Sequence, residues 1–165
     1  IEEACRRALV EPSQITFVEC HGTGTYLGDP IEAQALCNTV GRVTKDVPCL
    51  IGSVKSNIGH VEAASGIASL IKTALSIHHR RLPATVNLHN PNPLIRFSEH
   101  RIELARTEHS LPHTVLAGVS NFGLVAQMSM PYFIRTKENV IIVTNCDRAE
   151  QQSHLEVHLH ILVRD

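Results

Sequence analysis

Short apolar runs that end at glycine-containing turns recur along most of the chain. Residues 15–20 and 48–54 are short and rich in apolar or β-branched side chains, which predicts buried strands. Each run leads through a glycine-containing turn into helical spacing, which predicts helices over residues 29 to about 40 and from after His60 to about His79. The order strand, turn, helix therefore occurs twice, and it favours an α/β fold.

Residues that favour helix ends set the expected bounds of the first of these helices. Asp29 is placed to cap it, Pro30 suits its first position, and Glu32 would complete a capping box. Gly41 is expected to end it. The second helix carries alanine and aliphatic residues at so many positions that it is predicted to be buried on most sides.

Further segments complete the predicted element order. Ile1–Leu9 has helical spacing, and the prolines between residues 83 and 93 favour an extended connection. Val115–Gly123 predicts a strand that ends in a glycine turn. Val140–Val143 predicts another apolar strand, and the alternation over 155–163 predicts a half-exposed one.

Composition and charge exclude several classes of protein. The 165 residues are 43% hydrophobic and 19% charged, which is typical of a soluble globular domain. A formal charge of −1 leaves no basic field for nucleic acid or an anionic membrane surface. The longest nearly apolar run, 61–77, contains Glu62 and Lys72, so no transmembrane helix is expected.

The five cysteines form no CxxC pair, and an odd number of them favours reduced thiols in a cytoplasmic protein. Cys20 precedes His21 directly, but neighbouring side chains of a strand point to opposite faces, so it is interpreted as a core residue. Helical spacing that starts at Ile1 suggests that the chain begins inside a structural element of something longer.

Two histidines stand in turns that follow predicted strands, where α/β sheets tend to bind ligands. His21 opens the segment His-Gly-Thr-Gly-Thr, and His60 closes Lys-Ser-Asn-Ile-Gly-His. Two neutral imidazoles that donate to one oxygen would stabilise an enolate, and Lys55 would hold a positive charge nearby. The hydroxyls of Thr23 and Thr25 could bind an amide-bearing ligand. A single histidine beside a glycine is more often structural, so the hypothesis of carbonyl chemistry depends on the joint pattern.

These motifs resemble the C-terminal half of a β-ketoacyl synthase, specifically the ketosynthase domain of polyketide synthases and animal-type fatty acid synthases. The resemblance runs from Ile1 to Gly123. It is carried by the residues of 21–25, by Gly-Asp-Pro-Ile-Glu-Ala at 28–33, by 55–60, and by the asparagines and prolines of 90–93 and the segment 118–123.

The resemblance implies a thiolase-like fold in a layered αβαβα arrangement, of which this chain supplies the C-terminal half only. It implies a dimeric enzyme that condenses an acyl group with a malonyl group carried by the phosphopantetheine of acyl carrier protein, with a cysteine supplied by the N-terminal half. No metal or redox cofactor is then needed. The implied roles are catalysis by His21, His60 and Lys55, substrate binding by Thr23 and Thr25, and structural support by Asp29, Asn57, Phe122 and Gly123.

The sequence departs from the family in two respects. No turn rich in small residues and serine carries a nucleophilic cysteine, and Leu124–Met128 stands where the family has a glycine-rich turn. We therefore divide the chain into a ketosynthase half, 1–123, and a divergent tail, 124–165, and expect the chain alone to be inactive. Two alternatives stay open: a remnant without catalysis that binds carrier protein or an intact synthase, and a residual malonyl decarboxylase.

Two smaller histidine groups have competing interpretations. His154, His158 and His160 share one face of a predicted strand and could bind a transition metal, although a solvated polar face explains them more simply. The basic segment 78–81 at a helix end could dock an acidic carrier protein, but the helix dipole already accounts for cations there.

Overall fold

The computed structural model describes residues 1–42, 47–122, 132–135 and 139–145. Its α-helices are α1 (Glu2–Ala8), α2 (Gly28–Asn38), α3 (Lys55–Ile58) and α4 (Ser65–His79). Its strands are β1 (Phe17–Glu19), β2 (Cys49–Gly52), β3 (Arg81–Leu82), β4 (Ile102–Leu104), β5 (His109–Ser110), β6 (Leu116–Asn121), β7 (Tyr132–Arg135) and β8 (Val140–Asn145). Short 3-10 turns lie at Pro12–Gln14, Val40–Arg42, Glu62–Ala64 and Phe97–Glu99.

Six of these strands form one sheet in the order β4-β2-β1-β6-β8-β7. All neighbours in it are parallel except β7, which runs antiparallel to β8. β1 lies in the centre, where Val18 is opposite Ile51 on one side and Gly118 on the other. The predicted α/β class is confirmed, and parallel pairing brings the carboxyl ends of β1, β2 and β6 to one edge.

The core has two clusters of buried side chains. The larger packs α1 and α2 against the sheet, and the smaller joins the sheet to the two-stranded ribbon of β3 and β5. Members of the larger cluster include Cys5, Val18, Leu36, Ile51 and Ile142. Since Ile142 of β8 packs with residues of α1, the strand predicted at Val140–Val143 is confirmed and shares the core of the preceding residues.

Helix α4 corrects the expectation that its apolar residues would be buried on most sides. The side chains that face inward are Ser65, Ser69, Thr73 and Ser76, whereas Ile67, Ile71 and Leu75 are 47%, 52% and 51% exposed. Small side chains permit close approach to β6; a β-carbon built on Gly66 would lie 3.1 Å from Asn121 Nδ2. The helix thus presents an outward apolar stripe, defined here as Ile67, Ile71 and Leu75.

The start of α2 also differs from the prediction. The helix begins at Gly28, so Asp29 is a helical residue rather than its cap, and Glu32 takes part in no capping box. The hydroxyl of Thr25 accepts the N–H of Gly28 instead. The segment after β2, expected to be a turn, contains the helical turn α3.

Several expectations lie outside the described residues: the glycine turn at Gly123, the divergent Leu124–Met128, Cys146 and the strand over 155–163 with its histidines. Within the described ranges, Cys5, Cys20, Cys37 and Cys49 are buried thiols. No helix in that part of the chain is both long enough and apolar enough to cross a membrane.

Candidate active site

The predicted functional residues meet at the edge of the sheet where β1, β2 and β6 end. His21 follows β1, Lys55 opens the helical turn after β2, and Phe122 follows β6. His60 lies five residues beyond Lys55, and its ring reaches back to that of His21. The ring centroids are 5.5 Å apart, with the planes 86° from parallel.

The main chain of the His21 turn is held by carboxylates of α2. Glu32 is buried, and its two oxygens accept the N–H of His21 at 2.7 Å and that of Gly22 at 2.9 Å. Asp29 accepts the N–H of Gly24 at 3.1 Å. Gly22 and Gly24 both have positive φ, so the turn needs residues that adopt this conformation without strain.

The imidazole of His21 contacts two consecutive residues at the end of β6. Its Nδ1 accepts the main-chain N–H of Phe122 at 3.2 Å, and the phenyl ring packs edge-on at 5.1 Å. Asn121 Oδ1 also lies 3.2 Å from Nδ1. The N–H of Phe122 can only donate, so its contact favours the neutral tautomer whose proton is on Nε2.

His60 is fixed in the same way. Its Nδ1 accepts the N–H of Glu62 at 3.1 Å, which makes Nε2 the protonated nitrogen of the neutral ring. Among the described residues, neither histidine has a hydrogen-bond partner at Nε2. The two adjacent rings therefore each offer one N–H donor, and two donors that converge on one oxygen would stabilise negative charge on it.

Electrostatics favour the neutral form of His21. Burial lowers its pKa, and the neighbouring Lys55 lowers it further, while the contact with Asn121 has the opposite effect. Lys55 is 8% exposed, and its Nζ has no hydrogen-bond partner within the described ranges. Burial lowers the pKa of Lys55 as well, against the attraction of Glu19 and Glu32.

A buried ion pair lies beneath these groups. Glu19, at the end of β1, pairs with Lys72 of α4 through one oxygen and accepts the N–H of Val54 with the other. Burial raises the pKa of Glu19, while Lys72 lowers it. Since Val54 immediately precedes Lys55, this carboxylate connects β1, the start of α3 and α4 in one network.

The remaining predicted site residues lie around this centre. The hydroxyls of Thr23 and Thr25 are 3.5 Å apart, and Thr25 also bonds to α2. Asn57 is exposed, and its side-chain oxygen accepts the hydroxyl of Ser56; within the described ranges it makes no hydrogen bond to either histidine. Phe122 is 38% exposed beside His21, so its ring is a wall of the site.

A cavity of roughly 340 Å³ extends from this edge toward the connection between β3 and β4. The residues that line it include Gly22, Thr23, Lys55, His60 and Asn87. Asn87 donates its side-chain amide to the main-chain oxygen of Ser56, which ties the connection to the turn that carries Lys55. Residues 85–88 of this connection thus form one wall of the cavity.

The site residues predicted from the sequence do not include Glu19, Lys72 or Asn121. Glu32 is expected only as part of a capping box at the start of α2. One signal exists in the sequence: Glu19 and Lys72 are isolated opposite charges within apolar segments, and burial of both requires that they pair. Asn121 lies in the segment 118–123 that carries the family resemblance, but the sequence analysis assigns it no role. Among the described residues, no group of histidine, cysteine and acidic side chains has an arrangement that could hold a metal ion.

The amino-acid sequence is similar to those of known proteins. The family model described as "Beta-ketoacyl synthase, C-terminal domain" matches residues 1–89. One polypeptide of the phenolphthiocerol/phthiocerol polyketide synthase of Mycobacterium tuberculosis is 46% identical over 127 residues, which cover 74% of this chain and 7% of that protein. Probable polyketide synthase 17 of Dictyostelium discoideum is 47% identical over 127 residues, 75% of this chain and 5% of that protein.

Solved structures extend the likeness to the fold. Ketosynthase twelve of the bacillaene polyketide synthase from Bacillus amyloliquefaciens superimposes with a TM-score of 0.67 at 44% identity, over 73% of this chain and 22% of that one. The oxazolomycin ketosynthase domain from Streptomyces albus gives 0.69 at 37% identity, with the same shares. The fold is therefore thiolase-like, and the chain spans about a fifth of the solved ketosynthases and under a tenth of the curated relatives.

Proposed function

This chain belongs to the family of β-ketoacyl synthase C-terminal domains, and we propose that it forms the histidine-bearing half of a condensing enzyme in polyketide biosynthesis. The observation that carries the proposal is the pairing of His21 and His60, each protonated at Nε2 because a main-chain N–H occupies its Nδ1. Two such donors suit one thioester oxygen as it becomes an enolate oxygen.

In the proposed reaction, a malonyl thioester binds with its carbonyl oxygen between the two Nε2–H groups. The bond to the carboxylate carbon breaks, carbon dioxide leaves, and the electron pair moves into an enolate whose oxygen is held by His21 and His60. The enolate carbon then attacks an acyl thioester on a cysteine of the N-terminal half. A carbon–carbon bond forms, and the cysteine thiolate leaves.

Lys55 supports this step as a nearby positive charge. Burial of His21 lowers the pKa of its ring, and the nearby ammonium of Lys55 lowers it further, which favours the neutral form. A positive charge close to the rings also favours negative charge that develops on the substrate oxygen. Asp29 and Glu32 act on the same site through the main chain of the His21 turn.

The proposed partners are an acyl carrier protein, whose phosphopantetheine arm delivers the malonyl group past Thr23 and Thr25, and the N-terminal ketosynthase half. A homodimer is proposed for the complete enzyme. The apolar stripe of α4 supports the proposal of an N-terminal partner half. Its three half-exposed aliphatic side chains lie on one face of the helix, and leaving them in water is unfavourable. Neither a resident cofactor nor a metal is proposed.

The test is to co-express the chain with the cysteine-bearing half of a ketosynthase domain and to measure release of carbon dioxide from malonyl-pantetheine. We expect His21→Ala and His60→Ala each to lower the rate about 100-fold or more, the usual effect of removing an oxyanion donor. His89→Ala, which replaces an exposed histidine of the β3–β4 connection, is the matched control and should retain the rate. An unchanged rate in His60→Ala would refute the proposal.

A second candidate function is a non-catalytic remnant that binds carrier protein or an intact synthase. The exposed stripe of α4 favours it equally, since binding needs the surface but not the histidines. Saturable binding of carrier protein, with no release of carbon dioxide even in the presence of the cysteine-bearing half, would identify this function. We expect the chain alone not to condense acyl and malonyl thioesters, and condensation by the purified chain would contradict that expectation.

A further inference from the structure

The Nδ1 atom of His21 faces two groups of opposite hydrogen-bonding character. The N–H of Phe122 lies 3.2 Å from it and can only donate, whereas Asn121 Oδ1, also at 3.2 Å, can only accept. The first contact is satisfied when Nδ1 carries no proton. The second is a hydrogen bond whenever Nδ1 carries a proton, and in the imidazolium form it always does.

Asn121 is held in place by its own surroundings. Its side chain is buried at the end of β6, and Oδ1 accepts the hydroxyl of Ser65, at the start of α4, at 2.9 Å. The absence of a side chain at Gly66 makes room for the amide, since a β-carbon there would lie 3.1 Å from Nδ2. The contacts with α4 thus hold the side chain of Asn121 beside His21.

We propose that Asn121 is a positioning residue that holds the ring of His21 and sets its proton affinity, by accepting Nδ1–H in the imidazolium form. Phe122 serves the neutral form at the same atom. In a reaction that begins and ends with neutral His21, such an acceptor keeps the ring in one orientation if it transiently gains a proton. The catalytic relevance of this inference rests on the proposed function, whereas the hydrogen bonding itself does not.

The charged and titratable groups around His21 change the proton affinity of its ring, and Asn121 acts against those that lower it. Lys55 of α3 and His60 disfavour a positive charge on the ring, and Asp29 of α2 favours one. Glu32, also of α2, bonds to the main-chain N–H of His21 rather than to its ring. The acceptor at Asn121 is therefore the contact that directly offsets burial and the neighbouring cation at the imidazole.

The test measures the titration and tautomer of His21 by nitrogen-15 NMR of the full chain labelled only at histidine, with the His21 signal assigned by its loss in His21→Gln. In the unaltered chain, we expect Nδ1 to be unprotonated above the pKa and protonated below it. A neutral ring with its proton on Nδ1 would overturn the proposal without any variant.

Two variants change the acceptor in opposite directions. Asn121→Asp keeps the shape and adds a negative charge, and should raise the pKa of His21 by about one unit or more, a tenfold gain in proton affinity. Asn121→Leu removes the acceptor and should lower the pKa. If the leucine variant fails to fold, Asn121→Ser, whose shorter side chain ends farther from Nδ1, should also lower it.

Asn38→Asp is the matched control, because it introduces the same charge at an exposed position near the end of α2. It should leave the titration of His21 unchanged. Equal titration curves for Asn121→Asp and the unaltered chain would overturn the proposal. Since no substrate is present, failure of the carbon dioxide assay under Proposed function would leave this result intact, and the reverse also holds.

Discussion

The apolar stripe of α4 makes a quantitative prediction about self-association. Full burial of an isoleucine or leucine contributes about 1.5–3 kcal/mol, so a side chain that is half exposed has about 1 kcal/mol still to gain. With Ile58 of α3, which is 52% exposed, Ile67, Ile71 and Leu75 offer four such side chains. One face would gain about 4 kcal/mol, and two copies packed face to face about 8 kcal/mol.

The cost of association decides how much of this gain is realised. Loss of translational and rotational freedom costs at least about 4 kcal/mol, which leaves at most about 4 kcal/mol for a pair of copies. That corresponds to a Kd of about 1 mM or weaker. We therefore expect a concentration-dependent increase in mass by sedimentation equilibrium rather than a stable dimer.

Replacing the stripe with charges should remove the effect. The triple variant Ile67→Lys, Ile71→Lys and Leu75→Lys is expected to sediment as a monomer and to keep the far-UV circular dichroism of the parent, since these side chains face away from the sheet. Ile31→Lys, at a 73% exposed position on α2, is the control and should associate as the parent does. An equal rise in mass for the triple variant and the parent would refute the reasoning, as would a parent that forms a stable dimer with a Kd far below 1 mM.

Further predictions concern groups inside the fold and use the triple variant as a soluble host. Glu19→Gln leaves Lys72 buried without its partner and should cost about 3–5 kcal/mol of unfolding free energy in urea. Adding Lys72→Met to this variant should recover part of the loss. If the free-energy losses of the two single variants simply added in the double variant, the ion pair would be contradicted. Gly22→Ala should cost about 2 kcal/mol more of unfolding free energy than Gly24→Ala. Both glycines have positive φ, but only at Gly22 would a β-carbon meet a side chain, at 2.8 Å. Equal losses of unfolding free energy would show that this contact is unimportant. Cys20 should react with iodoacetamide only after unfolding, since burial raises the pKa of its thiol well above the usual value, and rapid labelling in the folded chain would disprove this.

Much of the fold and part of the site were predictable because they depend on local chemistry. Apolar runs bounded by glycine identify β1, β2 and β6 from the sequence, and in a parallel sheet the residues that follow them must share an edge. His21 and His60 could therefore be expected to lie near each other. Their tautomers could not, because those depend on the N–H groups of Phe122 and Glu62.

Helix α4 and Glu32 show where the sequence alone was insufficient. Helical periodicity reveals which side chains share a face, and it predicted the helix α4 correctly. It cannot tell which face meets the sheet. Close approach to β6 required the face that carries the serines, and this left the aliphatic stripe exposed. The position of Glu32 near a helix start suggested a cap, yet its carboxylate bonds to the turn before the helix. The local pattern determined which elements form, whereas tertiary packing decided the partners of the polar groups, because a buried carboxylate or amide bonds to whatever donors the fold brings within reach.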